Sequence, residues 1–421
     1  MRYPLKRPVL SIGILIIFFQ AVSFSQDVER LSLHDAMVIA LRNNPQALAS
    51  ARRIDAERGR FWRGISPPSP SVAVSYEYIP AAGGISQFGE RSIGITQSID
   101  FPTTILFRGL QLSSQVSVAE AEQAATSIEL MTRVKTAYYN VLAKQKKIEL
   151  ARENLVIAED FAQKAETRHK IGEATNLERL TAAVQRTQAR SALEVAQNDL
   201  TISLGELYVT LGRTKTEQQN NITLTDSLVY QPITGTLEQL TEMAYSVNPQ
   251  LKAASGQISV AALGRTLAWS SFLPNLNASY YRQTVIGNPD SYGVSFGLSV
   301  PLWFLLDQRG QIQEASANVG IAEHNLQSAA NSISVDVKNA FLEMKNNERQ
   351  IILHRTDILP QAEEAYRSAY ASYQAGEISY IEFLQVRQLM SSTRNEYFEE
   401  LARYCISLAK LEYAVGTSFI Q

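Results

Sequence analysis

The sequence predicts a mixed α/β membrane protein built from two tandem copies of one unit, dominated by long paired α-helices and carrying four short membrane-crossing β-strands. Three observations predict it. First, landmarks of the first half return 204 positions later, as 248 − 44 shows for Asn44-Pro45-Gln46 and Asn248-Pro249-Gln250. Pro70 returns as Pro274, Ser75-Tyr76 as Ser279-Tyr280, Gly172-Glu173 as Gly376-Glu377, Arg190 as Arg394 and Gly212 as Gly416. Second, each half holds two short runs of alternating character. Third, each half holds a helical seam much longer than an ordinary helix. So large a period marks a duplicated unit and not a short solenoid repeat.

The N-terminus reads as an export signal. Arg2, Lys6 and Arg7 precede a mostly apolar run from Val9 to Phe19, and the small-residue stretch Ala21 to Ser25 follows, which gives a signal peptide over 1–25. The run falls short of the roughly 20 residues a spanning helix needs, which favours a cleaved signal over a membrane anchor. Its removal changes the formal charge from −2 to −2 − 3 = −5, a mildly acidic chain with no sign of nucleic-acid binding. Cys405 is the only cysteine, so no intramolecular disulfide can form. No later stretch is apolar for long enough to cross a bilayer as a helix. If the mature chain crosses a membrane, it does so as strands of a closed barrel.

Each half then runs through the same elements. An opening helix is expected from Leu33 to about Phe61, with its copy from Leu237 to about Trp269. Two strands follow. Val72, Val74, Tyr76 and Tyr78 alternate with Ser71, Ala73, Ser75 and Glu77, and Ile93, Ile95 and Ile99 alternate with Ser92, Gly94, Thr96 and Ser98. The second half repeats this with Leu276, Ala278 and Tyr280 against Asn275, Asn277 and Ser279, then Val294, Phe296, Leu298 and Val300 against Ser295, Gly297 and Ser299. Period two puts apolar side chains on one face and small polar ones on the other. Ordinary hairpins on a soluble core would alternate too. The Ser, Gly, Thr and Asn content of the polar face suits a wet lumen, and strands of about 9 residues suit a tilted membrane crossing. Four strands cannot close a useful barrel, so several chains must contribute.

Beyond the first hairpin, Leu130, Val134, Ala137, Val141, Lys144, Ile148, Ala151, Leu155, Ala158, Ala162 and Ala165 form a seam at spacings of four and three. A helix from about Thr103 to Lys170 would be roughly 100 Å long at about 1.5 Å per residue. Gly172 breaks it, and a returning helix carries Leu177, Leu180, Val184, Leu200, Leu204, Leu207 and Leu211 to Gly212. The second copy keeps the beginning of the seam with Ile333, Val337, Ala340, Met344, Ile351 and Ile358. The abundant alanine allows close helix approach, as a tightly sheathed wall requires. The polar stretch Thr210 to Gly235, with Pro232, separates a first repeat over 26–231 from a second over 232–421.

Several motifs carry a family likeness: the two Asn-Pro-Gln triplets, Phe272-Leu273-Pro274 before a strand, Val300-Pro301-Leu302-Trp303 after one, Ala137-Tyr138-Tyr139 with Ala340-Phe341, and Tyr373 to Gln385. The chain resembles the TolC family of outer-membrane efflux proteins over essentially all of its mature length. Gly376-Glu377-Ile378-Ser379-Tyr380 looks like the branch that serves heavy-metal exporters. The resemblance implies a homotrimer in outer-membrane lipid of a Gram-negative cell, with one 12-stranded barrel and a periplasmic helical tunnel. It implies two partners, a periplasmic adaptor (membrane fusion) protein and an inner-membrane pump of the resistance-nodulation-division type. Ile171, Gly172, Glu173, Tyr373, Gly376, Glu377 and Ile378 would form the adaptor-docking tip. Glu382 and Glu178 would lie at the periplasmic gate, with Gln385 where the family usually has a second acid.

Three copies of Glu382 around an axis would favour cations. The plainer reading is a solvated acid in a first helical turn, where the helix dipole welcomes it. His34, His169, His324 and His354 share no ligand spacing, and Met37, Met131, Met243, Met344 and Met390 are isolated, so neither a metal site nor a cofactor is expected. Nucleophile elbows, phosphate-cradling loops and metalloprotease motifs are absent from the sequence, which speaks against an enzyme. Two readings remain, a passive exit duct, for metal ions or for drugs or secreted protein, and a periplasmic structural coiled coil.

Overall fold

The computed structural model describes residues 29–213, 222–300 and 306–418. The expected signal peptide and Pro301-Leu302-Trp303 lie outside the described residues. After a short strand β1 (Glu29–Leu31), the expected opening helix is two helices, and the same holds in the second repeat. α1 (Leu33–Asn43) and α2 (Pro45–Ile65) are separated at Asn44, which is extended at φ −66° and ψ 126°. A residue before proline is driven out of the helical region, and asparagine makes the break useful by capping the next helix. Asn44 Oδ1 accepts from Gln46 N at 2.8 Å, while its Nδ2 donates to Thr210 O at 2.9 Å.

β2 (Ser71–Glu77) and β3 (Glu90–Ile99) form the first hairpin. α3 (Pro102–Lys170) is the expected long helix, and α4 (Asn176–Leu211) returns beside it. A short strand β4 (Ile222–Leu224) in the inter-repeat segment pairs in parallel with β1, tying it to the start of the chain; this pair was not legible in the sequence. The second repeat gives α5 (Leu237–Val247), α6 (Pro249–Ser270), β5 (Asn275–Val285), β6 (Ser291–Ser299), α7 (Asp307–Leu353), α8 (Leu359–Ala375) and α9 (Tyr380–Val415).

The duplication extends to single hydrogen bonds. Asn248 repeats Asn44, accepting from Gln250 N at 2.9 Å and donating to Ala414 O at 3.0 Å. Gly212 and Gly416 end α4 and α9 in the left-handed region, at φ 72° and 87°. A Cβ on Gly212 would meet Asn44 Cα at 2.7 Å, and one on Gly416 would meet Asn248 Cα at 2.7 Å. Two landmarks far apart in sequence therefore form one junction, where glycine lets the end of the returning helix touch the break in the opening pair.

α7 and α8 follow one path through a π-helical turn at His354–Ile358. That turn explains why the second copy keeps only the beginning of the seam. Buried Leu130, Val134, Ala137, Val141 and Ile148 of α3 correspond to Ile333, Val337, Ala340, Met344 and Ile351, a displacement of 333 − 130 = 203. Beyond the turn, buried Ala158 and Ala165 correspond to Ala362 and Ala369, a displacement of 362 − 158 = 204. The π turn inserts the missing residue, as such turns do.

The core lies where the helices of each repeat converge, around Leu130, Val134, Tyr138, Leu207 and Leu211 in one and Ile333, Val337, Met344, Tyr404 and Leu411 in the other. Tyr138 Oη has two acceptors within hydrogen-bond distance for its single proton, Asp226 Oδ2 at 2.7 Å and Leu31 O at 2.9 Å, so the buried hydroxyl is satisfied. Between the repeats, Lys135 Nζ lies 2.5 Å from Glu412 Oε2, both buried. A buried cation of this kind needs its carboxylate, because an unpaired charge in the interior is costly. One expectation fails: Leu177, Leu180 and Val184, expected as seam residues of the returning helix, are exposed on α4. Near the hairpin end α4 rests on α3 through Ala182 instead, and its leucine stripe faces outward.

Candidate functional site

Two places combine unusual exposure with repeated geometry: the sheet and the two hairpin ends. The four main strands form one sheet in the order β2-β3-β5-β6, all antiparallel, with β3–β5 pairing across the repeats. One face is a ladder of small polar residues, where Ser75 and Ser92 hydroxyls lie 2.7 Å apart and Thr96 and Ser279 hydroxyls 3.0 Å apart. The other face aligns Val72, Ile95, Tyr280 and Val294 across all four strands, and Leu276 against Ile99 and Leu298. These apolar side chains are not core. Phe296 is 83 % exposed and Leu298 64 %. Among the described residues β2 and β6 pair on one side only, so both sheet edges are open. Natural sheets pair or cover long edges of this kind, and a bare apolar face of this extent marks an interaction surface. No described helix is long and apolar enough to cross a membrane.

At the hairpin ends, Gly172 at φ 80° and Gly376 at φ 75° turn the chain. Both turns close by the same bonds: Gly172 N to His169 O and Glu173 N to Arg168 O, then Gly376 N to Tyr373 O and Glu377 N to Ser372 O. The helices that leave are capped alike, by Thr175 Oγ1 accepting from Glu178 N and Ser379 Oγ accepting from Glu382 N. The candidate gate acids thus occupy the third position of α4 and α9. They differ in what their carboxylates do. Glu382 Oε2 turns back to accept from Ser379 N at 2.7 Å and from its hydroxyl at 2.8 Å, completing a capping box. Those donors hold its carboxyl below the usual glutamate range, the backbone N–H first. Glu178 instead lies 3.6 Å from Arg168 Nη1. Gln385, one turn beyond Glu382 on the same face of α9, is exposed.

Of the expected docking residues, Ile171, Gly172, Glu173, Gly376 and Glu377 are exposed around the two turns, and Ile378 is half-buried. Tyr373 sits inward. Its ring stacks on Phe383 at 5.2 Å, within a cluster of Phe161, Tyr366, Tyr370 and Tyr380 that joins the first hairpin to the second. Burial raises the Tyr373 hydroxyl pKa, and the Glu178 charge adds to it. This cluster was not anticipated from the sequence, although Tyr366, Tyr370 and Tyr373 at spacings of four and three were its visible sign. Nor was Arg387, buried one turn past Leu384 with its Nη1 unpartnered; burial lowers its pKa. The four histidines are not brought together, and no described cluster of His, Cys, Asp or Glu could hold a metal ion. Cys405 is buried against the second core, and burial pushes its thiol up to about 12.

The profile of the family described as outer membrane efflux protein matches residues 37–213 and again 240–417. The cobalt-zinc-cadmium resistance protein CzcC of Cupriavidus metallidurans is 20 % identical over 92 % of this chain and 90 % of its own length. The outer membrane protein TolC of Vibrio cholerae is 22 % identical, covering 90 % of this chain and 89 % of its own. Among solved structures, a membrane protein from Pseudomonas aeruginosa superposes with a TM-score of 0.76 at 18 % identity, over 92 % of this chain and 90 % of that one. CusC superposes with a TM-score of 0.75 at 16 % identity, over 92 % of each chain.

Proposed function

The chain belongs to the outer membrane efflux protein family, whose members are passive channels and not enzymes, and from that premise we propose how copies of it work together. Three chains each contribute the four-stranded sheet to one 12-stranded barrel in outer-membrane lipid. The paired helices continue it as a periplasmic tunnel. Substrate arrives from an inner-membrane pump of the resistance-nodulation-division type through a periplasmic adaptor, which docks at the turns around Gly172 and Gly376. The cargo is heavy-metal cations, which the duct conducts without chelating them.

The observation that carries this reading is the sheet. Its bare apolar face fits hydrocarbon, its hydroxyl-lined face fits water, and its two open edges fit closure by neighbours of the same kind. Support for the cargo comes from the likeness to a cobalt-zinc-cadmium resistance protein and from the acid Glu382 at the second turn. Glu382 and the exposed Gln385 supply the polar face of the entrance, and Glu178 supplies charge held back by Arg168. The test is purification in detergent followed by planar-bilayer recording. A heat-modifiable trimer that conducts with cation preference agrees; a water-soluble, non-conducting monomer after signal removal rejects the duct. Deleting the gene and scoring growth on cobalt, zinc and cadmium against organic toxicants decides the cargo.

A further inference from the structure

The internal duplication contains a contact that one chain makes only once. α3 packs on α9, joining the two hairpins. Shifting that pair by one repeat turns α3 into α7 and α8, and α9 into α4. α4 packs on α3 and α1, and α8 packs on α9, so among the described residues no α8–α4 packing of comparable extent forms within one chain. In the α3–α9 contact, Arg394 Nη1 lies 2.8 Å from Glu153 Oε2. Counted from the turn glycines, a shift of 204 places Asp357, which lies inside the π turn, at the position of Glu153 and Arg190 at the position of Arg394. Charge and order are both kept in the copy.

We infer that Arg190 of one protomer pairs with Asp357 of a second copy of this chain, forming between subunits the contact that Arg394 and Glu153 form within one. Arg190 and Asp357 are both exposed, and among the described residues neither has an ion pair within the chain. Asp357 accepts only from the neighbouring Thr356 hydroxyl, at 2.8 Å. The heights agree: at about 1.5 Å per residue, Arg190 is about 27 Å from its turn glycine and Asp357 about 28 Å from its own. The flanking charge agrees as well, because α4 also carries Arg186 and α8 carries Glu363, whereas Arg179 and Glu364 pair with Glu166 and Arg367 within the chain. Packing supplies an independent sign. Leu384 of α9 is 8 % exposed, whereas its copy Leu180 on α4 is 47 % exposed, as expected of a face still waiting for its helix.

The inference rests on the proposed homo-oligomer and is tested apart from it. In a Cys405→Ser background, Arg190→Cys with Asp357→Cys is treated with a short bis-maleimide in detergent. Covalent dimers and trimers are expected, with none from either single cysteine. In parallel, Arg190→Glu and Asp357→Arg should each lower the temperature at which the oligomer falls to monomer by several degrees, and the double reversal should restore it. A parent that is trimeric by light scattering while the paired cysteines give no covalent oligomer, or a double reversal no better than either single one, overturns the contact and leaves the trimer standing. A monomeric parent overturns both.

Discussion

Gly212→Ala is the most informative single change, because the structure separates two costs that glycine usually hides together. Gly172 and Gly212 both have positive φ, at 80° and 72°, so an alanine at either bears the left-handed penalty of about 1–2 kcal/mol. At Gly172 nothing lies within 4 Å of the new Cβ, and the cost stops there. At Gly212 the Cβ would meet Asn43 O at 2.6 Å and Asn44 Cα at 2.7 Å, all backbone. The junction must open by about 0.7 Å to restore ordinary contact. Opening it stretches the 2.9 Å bond from Asn44 Nδ2 to Thr210 O, worth about 1 kcal/mol, and disturbs the Asn44 cap of α2, worth about 1 kcal/mol more. The expected loss is about 3–4 kcal/mol for Gly212→Ala against about 1–2 for Gly172→Ala. Denaturant unfolding of the detergent-solubilised chain, followed by circular dichroism, reads the difference. Equal shifts for the two variants would refute the junction argument, and Asn44→Ala, which loses the bonds without the clash, should fall between them.

The capping box at Glu382 titrates. Its carboxyl is held below the ordinary range, so its stabilisation is complete above the unfolded value of about 4.3 and is lost as pH falls through the lower folded value; amide exchange at Ser379 to Phe383 should quicken only in that acidic window. Replacing Glu382 by alanine should lower the channel's cation preference, and an unchanged reversal potential under a salt gradient would reject the gate role. Phe296→Arg should cost about 2–4 kcal/mol in a lipid-facing sheet and reduce the heat-modifiable form, whereas Ser295→Arg on the opposite face should be tolerated. With its thiol near 12, Cys405 is thiolate in roughly one molecule in ten thousand at about pH 8, so maleimide should label it only after unfolding.

Much of the fold was legible because its signals are periodic. The alternation from Ser71 and from Val294 gave strands, and the seam from Leu130 to Ala165 gave a helix whose bounds, Pro102–Lys170, fall within a residue of expectation at each end. Asn44-Pro45 was read as a landmark within a helix when its chemistry is that of a break; proline forces the preceding residue extended whatever the surrounding pattern. The outward turn of Leu180 and Val184 was hidden because a leucine stripe says that a helix has a partner but not which one. Pairing of β3 with β5, and of β1 with β4, is tertiary and leaves no local mark. At the hairpin ends the turn glycines and the acids were visible, while the use of Glu382 as a cap depends on a rotamer. Arg387 looked like any surface arginine until packing covered it.

The π turn at His354–Ile358 has a consequence for how such a chain tolerates change. Along a helix this long, a one-residue error is an angle of about 100° and not a small shift in length. Without the extra residue, everything beyond Ile358 would be rotated by that angle, and Tyr366, Tyr370 and Tyr373 would point away from Phe161. The turn is therefore a phase correction. It absorbs the mismatch between the halves locally, so that the far end of the second hairpin keeps the orientation of the first. Deleting one residue there should leave the helix continuous and straighter, yet undo the aromatic cluster that joins the two hairpins.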